Sequence, residues 1–323
     1  MNTLTKTYVG VDISKKMLDV YVYPHEKLLR IQNSNQGLQE LQKKLKSHHI
    51  EQVVCEASGN YELNLVSTLR KACYKVWVVN PAQVKAFIRS EGVKVKTDAH
   101  DARMLALFGV QKQSRYKQEE PSEKQAALHD FTDRREELLK IVDIEKKRMQ
   151  NPRRNTFVQG NKRIIRALEK ELEKIESEIR RIVSTDIELK KKSDLLNTIP
   201  GVGEHTANAV IAYLPELGQI SNKAIAALVG SCPYPQESGT YRGKSRINGG
   251  RAKPRRKLYM AALVAARYNP VLARMYKGMV ARGKTPKQAL VANIRKLIIT
   301  MNTMIQKCEA WNEHYTSFGC YAA

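Results

Sequence analysis

Four carboxylates in this chain are spaced so that one cleft can be built around them. Asp12 closes the β-branched run Tyr8-Val9-Gly10-Val11-Asp12-Ile13, and Glu56 closes Gln52-Val53-Val54-Cys55-Glu56. Asp98 and Asp101 lie three apart in Lys96-Thr97-Asp98-Ala99-His100-Asp101-Ala102-Arg103, at the start of a predicted helix. Residues i and i+3 share a helical face, so these two carboxylates can converge. In open α/β sheets, functional groups collect at the carboxyl ends of strands, where Asp12 and Glu56 sit. Four hard oxygen donors suit Mg²⁺ or Mn²⁺. Two such ions can clamp the attacking and leaving oxygens of a phosphodiester. Singly, each acid is an ordinary strand-end or helix-start residue, and Asp98 is a natural N-cap. Together, on this strand order, they favour a metal site.

Two further constellations lie downstream. Leu196-Asn197-Thr198-Ile199-Pro200-Gly201-Val202-Gly203-Glu204-His205 reads as a helix-hairpin-helix. There Gly201 and Gly203 allow close approach, and the second helix's first amides can hold a phosphate; an ordinary tight helix connection is the alternative. Tyr234 to Gly250 is a glycine-punctuated loop that carries Ser238, Arg242, Lys244 and Arg246, with Arg251, Lys253, Arg255, Arg256 and Lys257 just beyond. Those cations can neutralise phosphates. A serine becomes a nucleophile only when a base, metal or cation activates it. On chemistry alone Ser238 ranks no higher than Thr240 or Ser245. His100 and His205 are read as structural.

The elements that must carry these residues follow from periodicity. Strands are predicted at Tyr8–Ile13, Met17–Tyr23, Leu28–Ile31, Gln52–Glu56 and Val76–Val79, and helices at Gly37–His48, Tyr61–Cys73 and Ala82–Arg89. That is an α/β plan with a mixed sheet, assigned to residues 1–115. Ile165, Leu168, Leu172, Ile175, Ile179 and Ile182 form a heptad seam. Ala127, Phe131, Leu138 and Val142 suggest its partner helix, with a break at Asn151-Pro152. An antiparallel hairpin and a dimerising coiled coil both fit this helical segment, 116–192. From about Leu195 the chain reads as helical and basic, a mainly α C-terminal domain over 193–323.

Composition sets the class of partner. The 323 residues carry 56 Lys+Arg against 32 Asp+Glu, a net charge of +24. Between Ser221 and Thr300 there are 17 basic residues and one acid, Glu237, so a quarter of the chain holds two-thirds of the excess. Such asymmetry marks a polyanion-binding surface. No apolar run is long enough to span a membrane, and the N-terminus has no signal-peptide layout. The 5 cysteines are scattered, with no C-x-x-C pair and no disulfide framework. A cytoplasmic nucleic-acid protein is expected.

At these residues the sequence resembles the DEDD-type insertion-sequence transposases, the family of bridge-RNA-guided recombinases. Val9-Gly10-Val11-Asp12, Cys55 to Tyr61, Asn80-Pro81 and Lys96 to Ala106 resemble that family's RNase H-like (RuvC-like) domain. Ile199 to Gly203 and Glu237-Ser238-Gly239 through Arg242-Gly243 resemble its C-terminal transposase domain. The resemblance implies that Asp12, Glu56, Asp98 and Asp101 bind Mg²⁺ and that Ser238 attacks DNA to form a phosphoserine. It further implies a dimer or tetramer held partly by the coiled coil. A structured noncoding guide RNA would pair with donor and target double-stranded DNA. Two other readings stand beside it. A junction-resolving, metal-dependent nuclease would use the same acids with water as nucleophile. An architectural nucleic-acid-binding protein would leave the acids structural.

Overall fold

The computed structural model describes residues 6–59, 61–92, 97–112, 122–150 and 157–313. The chain divides into two compact units, Met1–Gln118 and Glu119–Ala323.

The first unit contains strands β1 (Thr7–Ile13), β2 (Met17–Tyr23) and β3 (Lys27–Gln32), then helix α1 (Asn35–Leu45). Strand β4 (Ile50–Glu56), α2 (Leu63–Lys71), β5 (Val76–Val79), α3 (Pro81–Ser90) and α4 (Asp98–Lys112) follow. The sheet order is β3-β2-β1-β4-β5. Strands β1, β2 and β3 are antiparallel neighbours, whereas β4 runs parallel to both β1 and β5. This is the mixed α/β sheet that the alternating strands predict.

Because strand side chains alternate between faces, each strand feeds two cores. Val9, Val11, Val53 and Cys55 pack with Leu38 and Leu41 of α1 and Leu65 and Leu69 of α2. Val54, Trp77 and Val79 pack with Phe87 of α3 and Leu105 and Phe108 of α4 on the other face. Helix starts are fixed locally: the Ser34 side chain accepts the Gly37 amide, and Asn80 accepts the Ala82 amide just past Pro81.

The second unit opens with α5 (Glu123–Met149) and α6 (Val158–Ser184). Lys124 Nζ reaches the Thr185 carbonyl, Arg135 pairs with Glu176 and Lys146 with Glu169. As one number rises the other falls, so the pair is an antiparallel hairpin within one chain. The hairpin is one of the two arrangements the heptad allows; the Asn151-Pro152 break lies outside the described residues. Ile165, Leu172, Ile175, Ile179 and Ile182 are buried, with Leu168 partly so. Each buried side chain of this kind contributes about 1.5–3 kcal/mol.

Helices α7 (Ile187–Asn197), α8 (Glu204–Tyr213) and α9 (Asn222–Val229) follow, then strands β6 (Pro233–Ser238) and β7 (Tyr241–Ile247). Helices α10 (Ala252–Tyr268), α11 (Pro270–Ala281) and α12 (Pro286–Lys307) end the unit. One continuous core joins the hairpin to these helices: Leu128 and Ile179 belong to the same cluster as Val210, Ala262 and Met301. The segment read from sequence as 116–192 therefore shares its core with 193–313. The expected helical run from Leu195 is also interrupted. The stretch taken as a glycine-punctuated loop pairs as an antiparallel two-stranded sheet, β6 with β7. Pro233, Pro235 and the glycines hid a strand signal that cross-strand pairing restores.

Candidate active site

The acid site is assembled in the first unit by a close helix-on-strand contact. Gly10 and Asp12 are two apart on β1 and so share a face. A Cβ built on Gly10 would overlap the Ala102 carbonyl oxygen and the Ala106 amide nitrogen of α4. Only a residue without a side chain lets α4 lie this close, and α4 carries Asp98 and Asp101 in its first turn. Thr97 caps that turn, its hydroxyl accepting the His100 amide at 3.2 Å. Asp98 is therefore released from the N-cap role its position suggests.

Electrostatics report the convergence. Asp12 is half-buried, and its carboxyl is pushed up to about 6 by burial and then by the carboxylates of Asp101 and Asp98. Glu56 ends β4, the parallel neighbour of β1, with Val11 opposite Cys55. Among the described residues, no three acid, histidine or cysteine side chains are grouped closely enough to share one metal ion. The donor set nonetheless fits a hard dication. It is all oxygen, and Asp12 already suffers like-charge repulsion that such an ion would relieve. Asp12, Glu56, Asp98 and Asp101 are the side chains that would hold it.

A fifth acid escaped the sequence reading. Asp19 of β2 is the cross-strand partner of Asp12 and is buried at 7% exposure. Burial raises its pKa, the Arg30 guanidinium pulls it back and Asp98 adds to the rise. Arg30 Nε lies 3.7 Å from Asp19 Oδ1. The available signal was an acid inside the apolar run Met17-Leu18-Asp19-Val20, in register with Asp12.

In the second unit, Ser238 ends β6 opposite Tyr241, across the turn Gly239-Thr240, and is exposed. Gly239 has φ of +56°, a conformation that favours glycine. Arg246 is exposed, whereas the side chains of Arg242 and Lys244 lie outside the described residues. The cations beyond the hairpin are largely engaged within the protein. Arg251 makes two bonds to the Glu216 carboxylate, at 2.8 and 2.6 Å, and a third to the Tyr213 carbonyl. Lys253 pairs with Asp133 at 2.6 Å, and Lys257 pairs with Glu136. Arg255 donates to the carbonyls of Val229 and Gly249. Arg256 is exposed on the same helix. Charge counting finds a polyanion surface but cannot separate these internal pairs from it.

Asp133 is the hub of this clamp. It accepts the Tyr213 hydroxyl at 2.8 Å on one oxygen and Lys253 on the other, and burial with that bond raises the Tyr213 pKa. The Ile199–Gly203 turn also has a packing role. Gly201 has φ of +95°, and a Cβ there would stand 2.8 Å from the backbone of Ala265 in α10. Gly203 faces open space and opens α8.

Asp12 and Glu56 lie at the carboxyl ends of neighbouring strands in the first unit, and an exposed Ser238 ends β6 in the second. Residues 9–157 match a family model described as Transposase, and residues 193–277 match the Transposase IS116/IS110/IS902 family. Two curated relatives match over nearly the whole length. The chain is 28% identical over 317 residues to a pilin gene-inverting protein of Moraxella bovis, covering 94% of this chain and 97% of that one. The same figures hold for the pilin gene-inverting protein of Moraxella lacunata. A shorter match, 28% over 116 residues, reaches the insertion element IS110 uncharacterized 43.6 kDa protein of Streptomyces coelicolor, covering 35% of this chain and 29% of that one. The chain belongs to the IS110-type transposases, recombinases that cut and join DNA.

Proposed function

We propose that this transposase cuts and rejoins DNA through a phosphoserine at Ser238, assisted by Mg²⁺ or Mn²⁺ held by Asp12, Glu56, Asp98 and Asp101. The observation that carries the metal half is the contact of Gly10 with the backbone of α4, which sets Asp98 and Asp101 near Asp12 and raises its pKa. In a protein of net charge +24, Asp12 keeps its carboxyl under like-charge repulsion at the carboxyl end of β1, where an RNase H-like domain would place a metal ligand. Bound there, a dication would stabilise charge on the scissile phosphate.

The exposure of Ser238 at the hairpin end supports its role, since a nucleophile must reach phosphorus in line with the leaving oxygen. Its Oγ would replace a sugar oxygen on phosphorus, which departs as a hydroxyl. Attack by a hydroxyl of a second strand would then release the serine. The phosphodiester energy is conserved, and no nucleotide triphosphate is needed. Arg246 and Arg256, with Arg242 and Lys244 on β7, would neutralise the backbone. Gly203 and the first amides of α8 would hold a further phosphate in the manner of a helix-hairpin-helix.

Site choice in this reading belongs to a structured guide RNA paired with donor and target duplexes, in a dimer or tetramer. No described helix is long and apolar enough to cross a membrane, and a protein that acts on DNA would work in the cytoplasm. The test of the acid site is Asp101→Asn, assayed for strand cutting and DNA binding together. Cutting should fall at least about a hundredfold while DNA affinity is unchanged. Full cutting by this variant would overturn the assignment.

A further inference from the structure

The turn after β1 and the loop after β4, which follow the strands carrying Asp12 and Glu56, lie side by side, and both present unused recognition chemistry. Asn33 joins them. Its amide nitrogen donates to the Ser14 carbonyl at 3.1 Å and to the Tyr61 carbonyl at 3.3 Å. Lys15 and Lys16 are exposed in the first segment, with no acid partner among the described residues. In the second, Tyr61 is 45% exposed and Leu63 53% exposed.

Both segments are braced from below. Ser14 bonds Met17 through backbone and side chain. Glu62 is buried and accepts the amide and hydroxyl of Ser58 at 3.1 and 3.2 Å. The carbonyl of Tyr61 is therefore tied down while its ring stands in solvent. A protein gains nothing in stability by exposing a tyrosine and a leucine beside two lysines. Such a pairing suits a strand whose phosphates meet ammonium groups and whose unpaired base stacks on a ring.

We propose that Lys15, Lys16 and Tyr61 form a strand-holding rim, in which an unstacked DNA base next to the scissile phosphate lies on the Tyr61 ring. This rests on the reading of the acids as the strand-cutting site, and it deepens that reading by naming what holds the strand there. Stacking tolerates any base, so the rim fits an enzyme whose sequence choice is made elsewhere.

The test is photocrosslinking of the full-length protein to a gapped duplex bearing 5-iododeoxyuridine in the gap, in chelator, followed by peptide mapping. The adduct should map to Tyr61, persist in Tyr61→Phe and drop about tenfold in Tyr61→Ala. Lys15→Gln and Lys16→Gln should each lower the salt slope of binding by about one. An adduct only elsewhere, or wild-type yield in Tyr61→Ala, overturns the proposal. An adduct at Tyr61 with the RNA version of the probe alone would overturn the assignment to DNA. No strand is cut in chelator, so failure of the metal or serine assignment would leave these results unchanged, and the two can fail separately.

Discussion

Gly10 of β1 and Ala102 of α4 meet backbone to backbone, with no room for even a methyl group between them. This contact brings the first turn of α4, with Asp98 and Asp101, beside Asp12. The φ of Gly10 is not in the left-handed region, so proximity alone demands glycine. Gly10→Ala must push α4 away. Stability should fall by about 1–3 kcal/mol and strand cutting should be lost. Gly160 in α6 has nothing within 4 Å of its hypothetical Cβ, so Gly160→Ala should be neutral or stabilising by up to about 1 kcal/mol. Thermal melts and a cutting assay on both variants check this; equal behaviour would deny Gly10 its role.

Asp12 gives the metal-free protein a pH dependence of definite sign. Its folded-state pKa, about 6, lies above the ordinary 3.8. The folded state therefore holds this proton more tightly than the unfolded chain. The resulting stability is fully present below about pH 4 and is lost as pH rises through about 6. After allowance for solvent screening of a half-exposed group, this amounts to about 1 kcal/mol. Melting points in chelator should fall by a few degrees across that window, and Asp12→Asn should flatten the fall. Added Mg²⁺ should restore stability more strongly at higher pH, with proton release. Identical pH profiles for wild type and variant would contradict the account.

Arg30 opposes the rise in the pKa of Asp19, the buried carboxylate across from Asp12. With Arg30→Gln, Asp19 loses the one influence on it that lowers its pKa, and its carboxyl should titrate at higher pH. Asp19→Asn should instead lower the Asp12 titration, since Asp19 is among the charges raising it. Carboxyl titration by NMR in the two variants reads both shifts, which are predicted in opposite directions.

The clamp that joins α5, α8 and α10 has its own test. Asp133→Ala leaves the Tyr213 hydroxyl and the Lys253 ammonium without their shared acceptor. The second unit should lose about 2–3 kcal/mol. The exposed pair Arg134–Glu137, on the neighbouring turn, should cost under about 1 kcal/mol when broken by Glu137→Ala. Denaturant melts compare the two.

Much of the first unit is legible because its strands are short β-branched runs: Tyr8–Ile13, Gln52–Glu56 and Val76–Val79 agree with the structure within a residue or two. Helices with a strong apolar stripe, above all the Ile165–Ile182 seam, were equally plain. The β6–β7 hairpin was not, because Pro233, Pro235, Gly239 and Gly243 interrupt any alternating apolar pattern in it. Asp19 escaped because a buried acid in a strand leaves no periodic trace. Arg251, Lys253, Arg255 and Lys257 read as polyanion ligands because nothing in the sequence marks their internal partners, Glu216, Asp133, two carbonyls and Glu136.

The central claim is the covalent serine. The protein is incubated with Mg²⁺, its element's flanking noncoding RNA and matched DNA duplexes, and the products are run on a denaturing gel with and without protease. A slowed DNA strand that protease releases, present in wild type and absent in Ser238→Ala with DNA binding intact, is the predicted result. Cut DNA with free ends and no attached protein, or an adduct that survives Ser238→Ala, would contradict it.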